Sequence, residues 1–481
     1  MSSLLRTSTN LLRSEDGLGA RLFADVKTYA SLGPHRAGTL GDAMTIDWLQ
    51  ASLDSSQWSV TAIPSFIEPF AEYDGCDLIV DGQPHECFGV WLPNNTAIHN
   101  VRAARASKRI NLTDLLAVVD VASPTLGAHG AGHAIEAAIA RGAAAVAVFN
   151  HLAPTDDSPL AALNSPPPYN RRQWSVPVAV IGSRARAALL TSSSALVNTL
   201  HIRGHCCGRG YTRSLIASHR LASPSTSPPV RLLVSTPISG WLAAGGERGV
   251  GVALWLFLAR ELPSLLTRLR AQQDLPTTAI EVLLLATNLH ELGYGGARSL
   301  INTVLTPRGF TPNTTALWIS LGASIITHQQ GSNGIFRANL DYTHTSLTSA
   351  LQPYRTAGFQ PTLNPPDRRG ELLPIAQAGY KAFGFYGEHA AFHTPIDYAN
   401  STSPELLELV ARPTLRAIEE VVKEALVKSK PGRTRPPLRA AGDHHEEPQG
   451  ASQALLALLL AGVALAQRRR QSRTCTVVVL L

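Results

Sequence analysis

The sequence predicts an α/β fold: a three-layer, mixed and mainly parallel sheet with helices on both faces, interrupted by a smaller inserted α/β module. Three observations carry this. "AIEVLLLATN", residues 279–288, is a near-continuous apolar run of strand length, as expected where both faces of a strand are covered. From about residue 228 onward, strand-like and helix-like segments alternate, which is the order of βαβ units. Residues 76–206 hold a strand–helix–strand pattern of their own. With 481 residues, 44% hydrophobic and 16% charged, the chain can bury more than one core.

The first part, 1–75, reads as a helix and then strand-like "WSVTAIPSFIEPF". In "MTIDWLQASL", Ile46, Leu49 and Leu53 recur at helical spacing. In 76–206, "LLAVVDVASP" reads as a strand. "GHAIEAAIARGA" is an Ala-rich helix ended by Gly142, and "AAVAVFNH" is the next strand. "SVPVAVIG" follows the Pro-rich loop "NSPPPYN". The main part, 207–428, opens with strand "VRLLVSTP" and the buried-type helix "GVGVALWLFLARELPSLLTRL". Strands "AIEVLLLATN", "TALWISLGASI" and "KAFGFYGEH" come after it. A last helix starts with Ser403 as N-cap, Pro404 at the first position and Glu405 in the first turn. It runs to about Lys428 with a bend expected at Pro413. Residues 429–481 are polar, Pro-rich and basic, with a short apolar run, and are predicted to be disordered. His444 and His445 lie there and read as solvated side chains.

Net charge is +7, but the basic residues are scattered, and no basic stripe interleaves with aromatics. Nucleic acid is therefore not an expected partner. The five cysteines are too few and too irregular for a disulfide framework or a zinc knuckle. Reduced thiols are expected, with Cys76 and Cys87 able to pair only in an oxidising compartment. The N-terminus lacks a continuous apolar core and cleavage site, so a cytoplasmic location is expected. No apolar run in the body of the chain reads as long enough to span a bilayer, so a membrane partner is not expected, and the short C-terminal run "ALLALLLAGVALAQRRRQSR" leaves open only a weak interfacial anchor.

In open α/β sheets, sites form beyond the carboxyl ends of the strands. Thr236, Ser239, Trp241, Glu247 and Arg248 follow the first strand of the main part. His290 and Glu291 follow "LLLATN", and Glu388, His389 and His393 follow "FGFYG". Carboxylates and imidazoles at three separate strand ends make an inventory for a metal site, although single polar residues at strand ends are also common.

These segments together resemble the zinc aminopeptidase family that includes glutamate carboxypeptidase and the glutaminyl cyclases. "FHTPIDYANSTSPELLELV" is similar to the family's late His-Thr motif and following helix. "GERGVGVALWLFLAREL" resembles its Gly-rich segment with the bridging aspartate, and "LLLATNLHELGYGGARSLI" its strand ending in a Glu-Glu pair. "SLGPHRAGTLGDAMTIDWLQASL" resembles its opening turn and helix. The resemblance covers roughly 25–428 and implies a phosphorylase/hydrolase-like sheet, with 76–206 similar to a protease-associated domain.

The family binds two zinc ions. Here the resemblance implies ligands Glu247, Glu291 and His393 for one ion. The other ion's private ligands are lost at Thr236 and near Gly322, and His290 stands where the base glutamate belongs. Arg248 opposes a metal, because a guanidinium beside Glu247 puts positive charge where a cation should bind. Two readings follow. One is a mononuclear zinc hydrolase or acyltransferase acting on a small peptide or amide, with His290 as acid/base. The other is a non-catalytic binding or scaffold protein with a polar network around Arg248. Arg248, Trp241 and Tyr294 are candidates for substrate contact, with Tyr398 a further aromatic near the motifs.

Overall fold

The computed structural model describes residues 17–92, 95–107, 110–122, 126, 130–151, 161–191, 196–222, 228–272, 279–329, 332–333, 337–340, 345–356, 370–387 and 389–428. Glu388, His444 and His445 lie outside the described residues.

Helices α1 (Leu18–Ser31) and α2 (Leu40–Ser52) come first. The 22-residue strand β1 (Ser59–Val80) follows, then short β2 (Gln83–His85) and β3 (Cys87–Gly89). The next elements are β4 (Thr96–Arg105), β5 (Leu116–Val121), α3 (Ala131–Ala140), β6 (Ala145–Asn150), β7 (Val178–Ile181) and α4 (Ser183–Thr191). The 26-residue β8 (Leu196–Leu221) returns the chain along β1. Then come β9 (Val230–Pro237), α5 (Val250–Gln272), β10 (Ile280–Thr287), α6 (Gly295–Leu300) and β11 (Thr315–Leu321). Short β12 (His328–Gln329), β13 (Ser332–Asn333) and β14 (Arg337–Leu340) precede α7 (Thr345–Thr356), α8 (Leu372–Gln377), β15 (Ala382–Tyr386) and α9 (Pro404–Lys428).

The strand order is β14-β15-β11-β9-β10-β8-β4-β5-β6-β7-β3, with β1 on β8. The sheet is mixed rather than mainly parallel. Among the described residues, six of its ladders are parallel and six antiparallel, and β12–β13 forms a separate antiparallel pair. The physical reason is the β1–β8 ribbon: two long strands pair antiparallel from Ser59↔Ser218 to Val80↔Val197, and β8 also runs antiparallel to β10 and β4. The four strands that carry the candidate residues, β10, β9, β11 and β15, are mutually parallel.

Alternation along these strands builds the layers. Leu232, Val234, Val282, Leu284, Leu317 and Ile319 join the core formed with α1, α5 and α9. Their neighbours Leu233, Leu283, Leu285 and Trp318 face the other side, with Leu300 and Leu305 around α6 and Leu372 and Ile375 of α8. The stretch Gly245–Gln272 is in fact long and apolar enough to cross a bilayer, but its apolar window is 83% buried, so α5 is a core helix.

Residues between β1 and β8 pack on two cores of their own, around Val119, Ile135 and Val146, and around Val118, Ala147 and Ile202. Cys76 and Cys87 are joined as a disulfide, as are Cys206 and Cys207, so the expectation of reduced thiols does not hold. The antiparallel turn from β1 through β2 brings Cys76 and Cys87 to a Cα separation of 5.6 Å, within ordinary disulfide range.

Candidate functional site

The carboxyl ends of β9, β10 and β15 bring Glu247, Arg248, Glu291 and His393 together, all buried. Local sequence explains how each arrives. After β9 the chain enters the widened turn Gly245–Gly249 before α5. Asp397 holds that turn, accepting from the backbone N–H of Gly246 at 2.8 Å and of Glu247 at 2.9 Å. Only glycine fits at 246: a Cβ there would lie 2.5 Å from Ser401 and 2.8 Å from Asp397 Oδ1. On the other side, Leu289 at φ +59° turns the chain off β10, so His290 and Glu291 point back over the strand ends.

Arg248 is the centre of the cluster. Its Nη2 lies 2.8 Å from Glu247 Oε1 and 3.0 Å from Glu291 Oε1, while Nε donates to the Ser239 carbonyl at 2.8 Å. Ser239 Oγ donates to Glu291 Oε2 at 2.6 Å and accepts from the His290 amide at 3.1 Å. His393 Nε2 faces Glu247 Oε1 at 3.3 Å, and its Nδ1 meets the Ala162 carbonyl at 2.9 Å. Burial alone would raise the Glu247 carboxyl, but the Arg248 guanidinium and His393 hold it well below the usual carboxylate range. His290 goes the other way. Burial first, then the Arg248 charge, push its imidazole well below the ordinary value, so it stands neutral.

Three further residues, Glu371, Ser324 and Asp397, complete the network. Glu371, at the start of α8, accepts from Thr287 Oγ1 at 2.6 Å and faces His290 Nδ1 at 3.6 Å, too far for a hydrogen bond. Burial raises its carboxyl to about 7. Ser324, beyond β11, meets His389 Nδ1 at 2.9 Å, and His389 Nε2 lies 3.0 Å from Asp397 Oδ1. Of these, Asp397 had a sequence signal, since it lies inside "FHTPIDY".

The predicted contact residues fare differently. Arg248 has no exposed side-chain surface, so it is enclosed rather than open to a substrate. Trp241 is also buried, packed against Trp91 and Phe88 with Nε1 donating to Asn164 Oδ1 at 2.9 Å. With almost no exposed surface and its indole N–H already paired, it packs rather than faces a ligand. Tyr294 is half-buried with its ring edge-on to His290 at 5.0 Å, and Tyr398 is 53% exposed. Thr236 is fully buried, and its carbonyl accepts from Thr287 Oγ1 at 3.1 Å.

Among the described residues, no group of three His, Cys, Asp or Glu side chains is arranged to hold a metal ion. The reason is geometric. Zinc sits about 2 Å from carboxylate oxygens. Here a guanidinium nitrogen already lies within 3.0 Å of one oxygen of each candidate carboxylate. As arranged, the residues do not fit zinc.

No known sequence family matches the chain, and no curated protein matches it. Solved structures do. A zinc aminopeptidase from Bacillus subtilis is 16% identical, with a TM-score of 0.62 over 86% of this chain and 96% of that one. A peptidase M28 precursor from Shewanella amazonensis is 16% identical, with a TM-score of 0.61 over 90% and 98%. An aminopeptidase from an Aneurinibacillus species gives 16% and 0.56 over 85% and 93%. The chain therefore has the fold of the zinc aminopeptidases, in agreement with the resemblance read from its motifs.

Proposed function

We propose that this chain is a peptide- or amide-binding protein built on the aminopeptidase fold, with a guanidinium in place of the metal. One observation carries the reading: Arg248 Nη2 lies between Glu247 and Glu291 and touches both. A full positive charge on a fixed side chain stands between two buried carboxylates where a zinc ion would, but has no open coordination position to polarise a carbonyl or activate water. His290, in the position of the base glutamate, is made a weak base by burial and the Arg248 charge, which supports the same reading. The peptide nature of the ligand rests on the neighbours, which are named as aminopeptidases.

A second reading is a mononuclear zinc hydrolase or acyltransferase with Glu247, Glu291 and His393 as ligands and His290 as acid/base. It is favoured by the His393 ring, whose Nδ1 contact to a backbone carbonyl leaves Nε2 toward Glu247, the orientation of a metal-ligating histidine. For it to hold, Arg248 would have to leave. Elemental analysis separates the two. The dialysed wild type should carry no stoichiometric zinc, and Arg248→Asn should gain affinity for it. About one zinc per chain in the wild type, lost in His393→Ala, would overturn the arginine-centred reading.

Two subsidiary readings go with this. The part between β1 and β8, with its separate cores, supports a protease-associated-like module at 76–206. The Cys76–Cys87 bridge supports an oxidising compartment rather than the cytoplasm.

A further inference from the structure

One segment of the inserted module reaches two of the candidate residues. The Ala162 amide donates to the His393 carbonyl at 2.9 Å, and the Ala162 carbonyl meets His393 Nδ1 at 2.9 Å. Three residues on, the Ser165 amide donates to the Glu291 carbonyl at 2.7 Å. Between them, Asn164 Oδ1 accepts from Trp241 Nε1 at 2.9 Å. Ala161, Ala162, Leu163 and Ser165 are all buried. The Ala162 methyl sits among Ala37, Trp91, Trp241 and Leu292. Past the segment, Pro167 comes so close to Gly293 that a Cβ there would lie 2.7 Å from its ring.

Main-chain hydrogen bonds to separate elements, with a small side chain in an apolar pocket, are how proteins hold peptide ligands. We infer that Ala161–Ser165 is an intramolecular occupant of a peptide-binding cleft, and that the ligand in trans is a peptide of the same chemistry: a small apolar residue where Ala162 sits and a side-chain acceptor where Asn164 sits. The inference rests on the reading of this site as one that binds peptides. The same contacts occupy His393 Nδ1 and the main-chain carbonyl of Glu291, so a ligand takes these partners only when the segment leaves.

The test uses the full chain and the synthetic peptide AALNSPPP, the sequence of residues 161–168. Ala162→Glu places a charge in the apolar pocket and expels the segment. The labelled peptide should bind this variant at least about tenfold more tightly than the wild type, a difference of about 1.4 kcal/mol. A peptide with glutamate at its second position should bind neither. Diethyl pyrocarbonate should modify His393 at least about tenfold faster in the variant, with His389, which makes no contact with the segment, unchanged. A folded variant with wild-type peptide affinity and slow His393 modification overturns the inference. Should Ala162→Glu fail to fold, amide exchange of the wild type decides: the Ala162 and Ser165 amides should exchange at least about a hundredfold faster than those of β10, and equal rates overturn it. Zinc content of the same samples is read separately, so failure of the arginine-centred reading is distinguishable from failure of the strap.

Discussion

Removing Arg248 leaves Glu247 and Glu291 buried with no cation between them, and an uncompensated buried charge typically costs about 3–5 kcal/mol. We expect Arg248→Met to lose stability of that order in urea unfolding at pH 7; a variant as stable as the wild type would show that the pair is not holding the site. The pH dependence has a definite sign. Glu247's carboxyl is depressed in the fold, so the stability its pairing gives is present above the ordinary carboxylate value and is lost as pH falls through the folded value. The Arg248→Met deficit should therefore shrink in acid. Glu371 has the opposite sign. Burial lifts it from 4.5 to about 7, so the folded state loses stability as pH rises across that window. Glu371→Gln should be more stable than the wild type at pH 7.5 by about 3 kcal/mol, and the gain should vanish near pH 4; a pH-independent difference would reject the shift. Sequence reading reached Glu247, Arg248, His290, Glu291 and His393, because each follows a strand with a strong apolar pattern. It missed Glu371 and Ser324, which become part of the site only through tertiary contacts that no local pattern encodes.

At the level of elements, the turn Gly245–Gly249 and the chain reversals at the strand ends set the geometry. Ala244, Leu289, Tyr294, Ser324, Ile326 and His393 all have positive φ without being glycine. Such residues cost about 1–3 kcal/mol each and gather where a site is held in shape. That concentration lies beyond β9, β10, β11 and β15, around the candidate site. Gly246→Ala drives a methyl against Ser401 and Asp397, and should destabilise by about 1–3 kcal/mol. A neutral outcome in thermal unfolding would mean that Asp397 does not grip the turn. The helices and parallel strands were legible because their apolar periods are long and regular. The β1–β8 ribbon was not, since a period of two says nothing about which strand pairs or in which direction. Nor could sequence spacing settle that Cys76 meets Cys87. Under non-reducing conditions a digest should yield the Cys76–Cys87 peptide pair, and breaking this bridge should cost the module about 3 kcal/mol.

Among the described residues, the stretch between β1 and β8 is joined to the strands that carry the site by the β1–β8 ribbon. The chain leaves at Val80 and returns at Val197, residues paired across β1 and β8, with the Asp81 amide donating to the Leu196 carbonyl at 2.9 Å. The two cores that cover the faces of the parallel strands contain no described residue between Asp81 and Leu196. Among the described residues, that stretch meets the rest of the chain in the core that joins Val118 and Ala147 to Leu78 of β1 and Ile202 of β8, and in the small cluster around Trp241, through Trp91, Leu92 and Ala162. The strand, helix and strand of β5, α3 and β6 were legible in local pattern, while the strap over His393 was not. The strap is a single extended segment with no periodicity, and the candidate residues it meets, Glu291 and His393, lie far from it in sequence. Replacing residues 82–195 with Asn-Gly would close β1 and β8 into a hairpin, since a two-residue turn of that sequence suits antiparallel strands. We expect the shortened chain to unfold cooperatively with the main cores intact and with His393 reactive to diethyl pyrocarbonate, because Ala162 no longer covers it. Circular dichroism and near-ultraviolet tryptophan signals would follow the fold, and mass spectrometry the histidine. A shortened chain that folds while His393 stays protected would mean that other segments close the site. One that cannot fold would mean that the module is part of the main domain's core rather than an insertion in it.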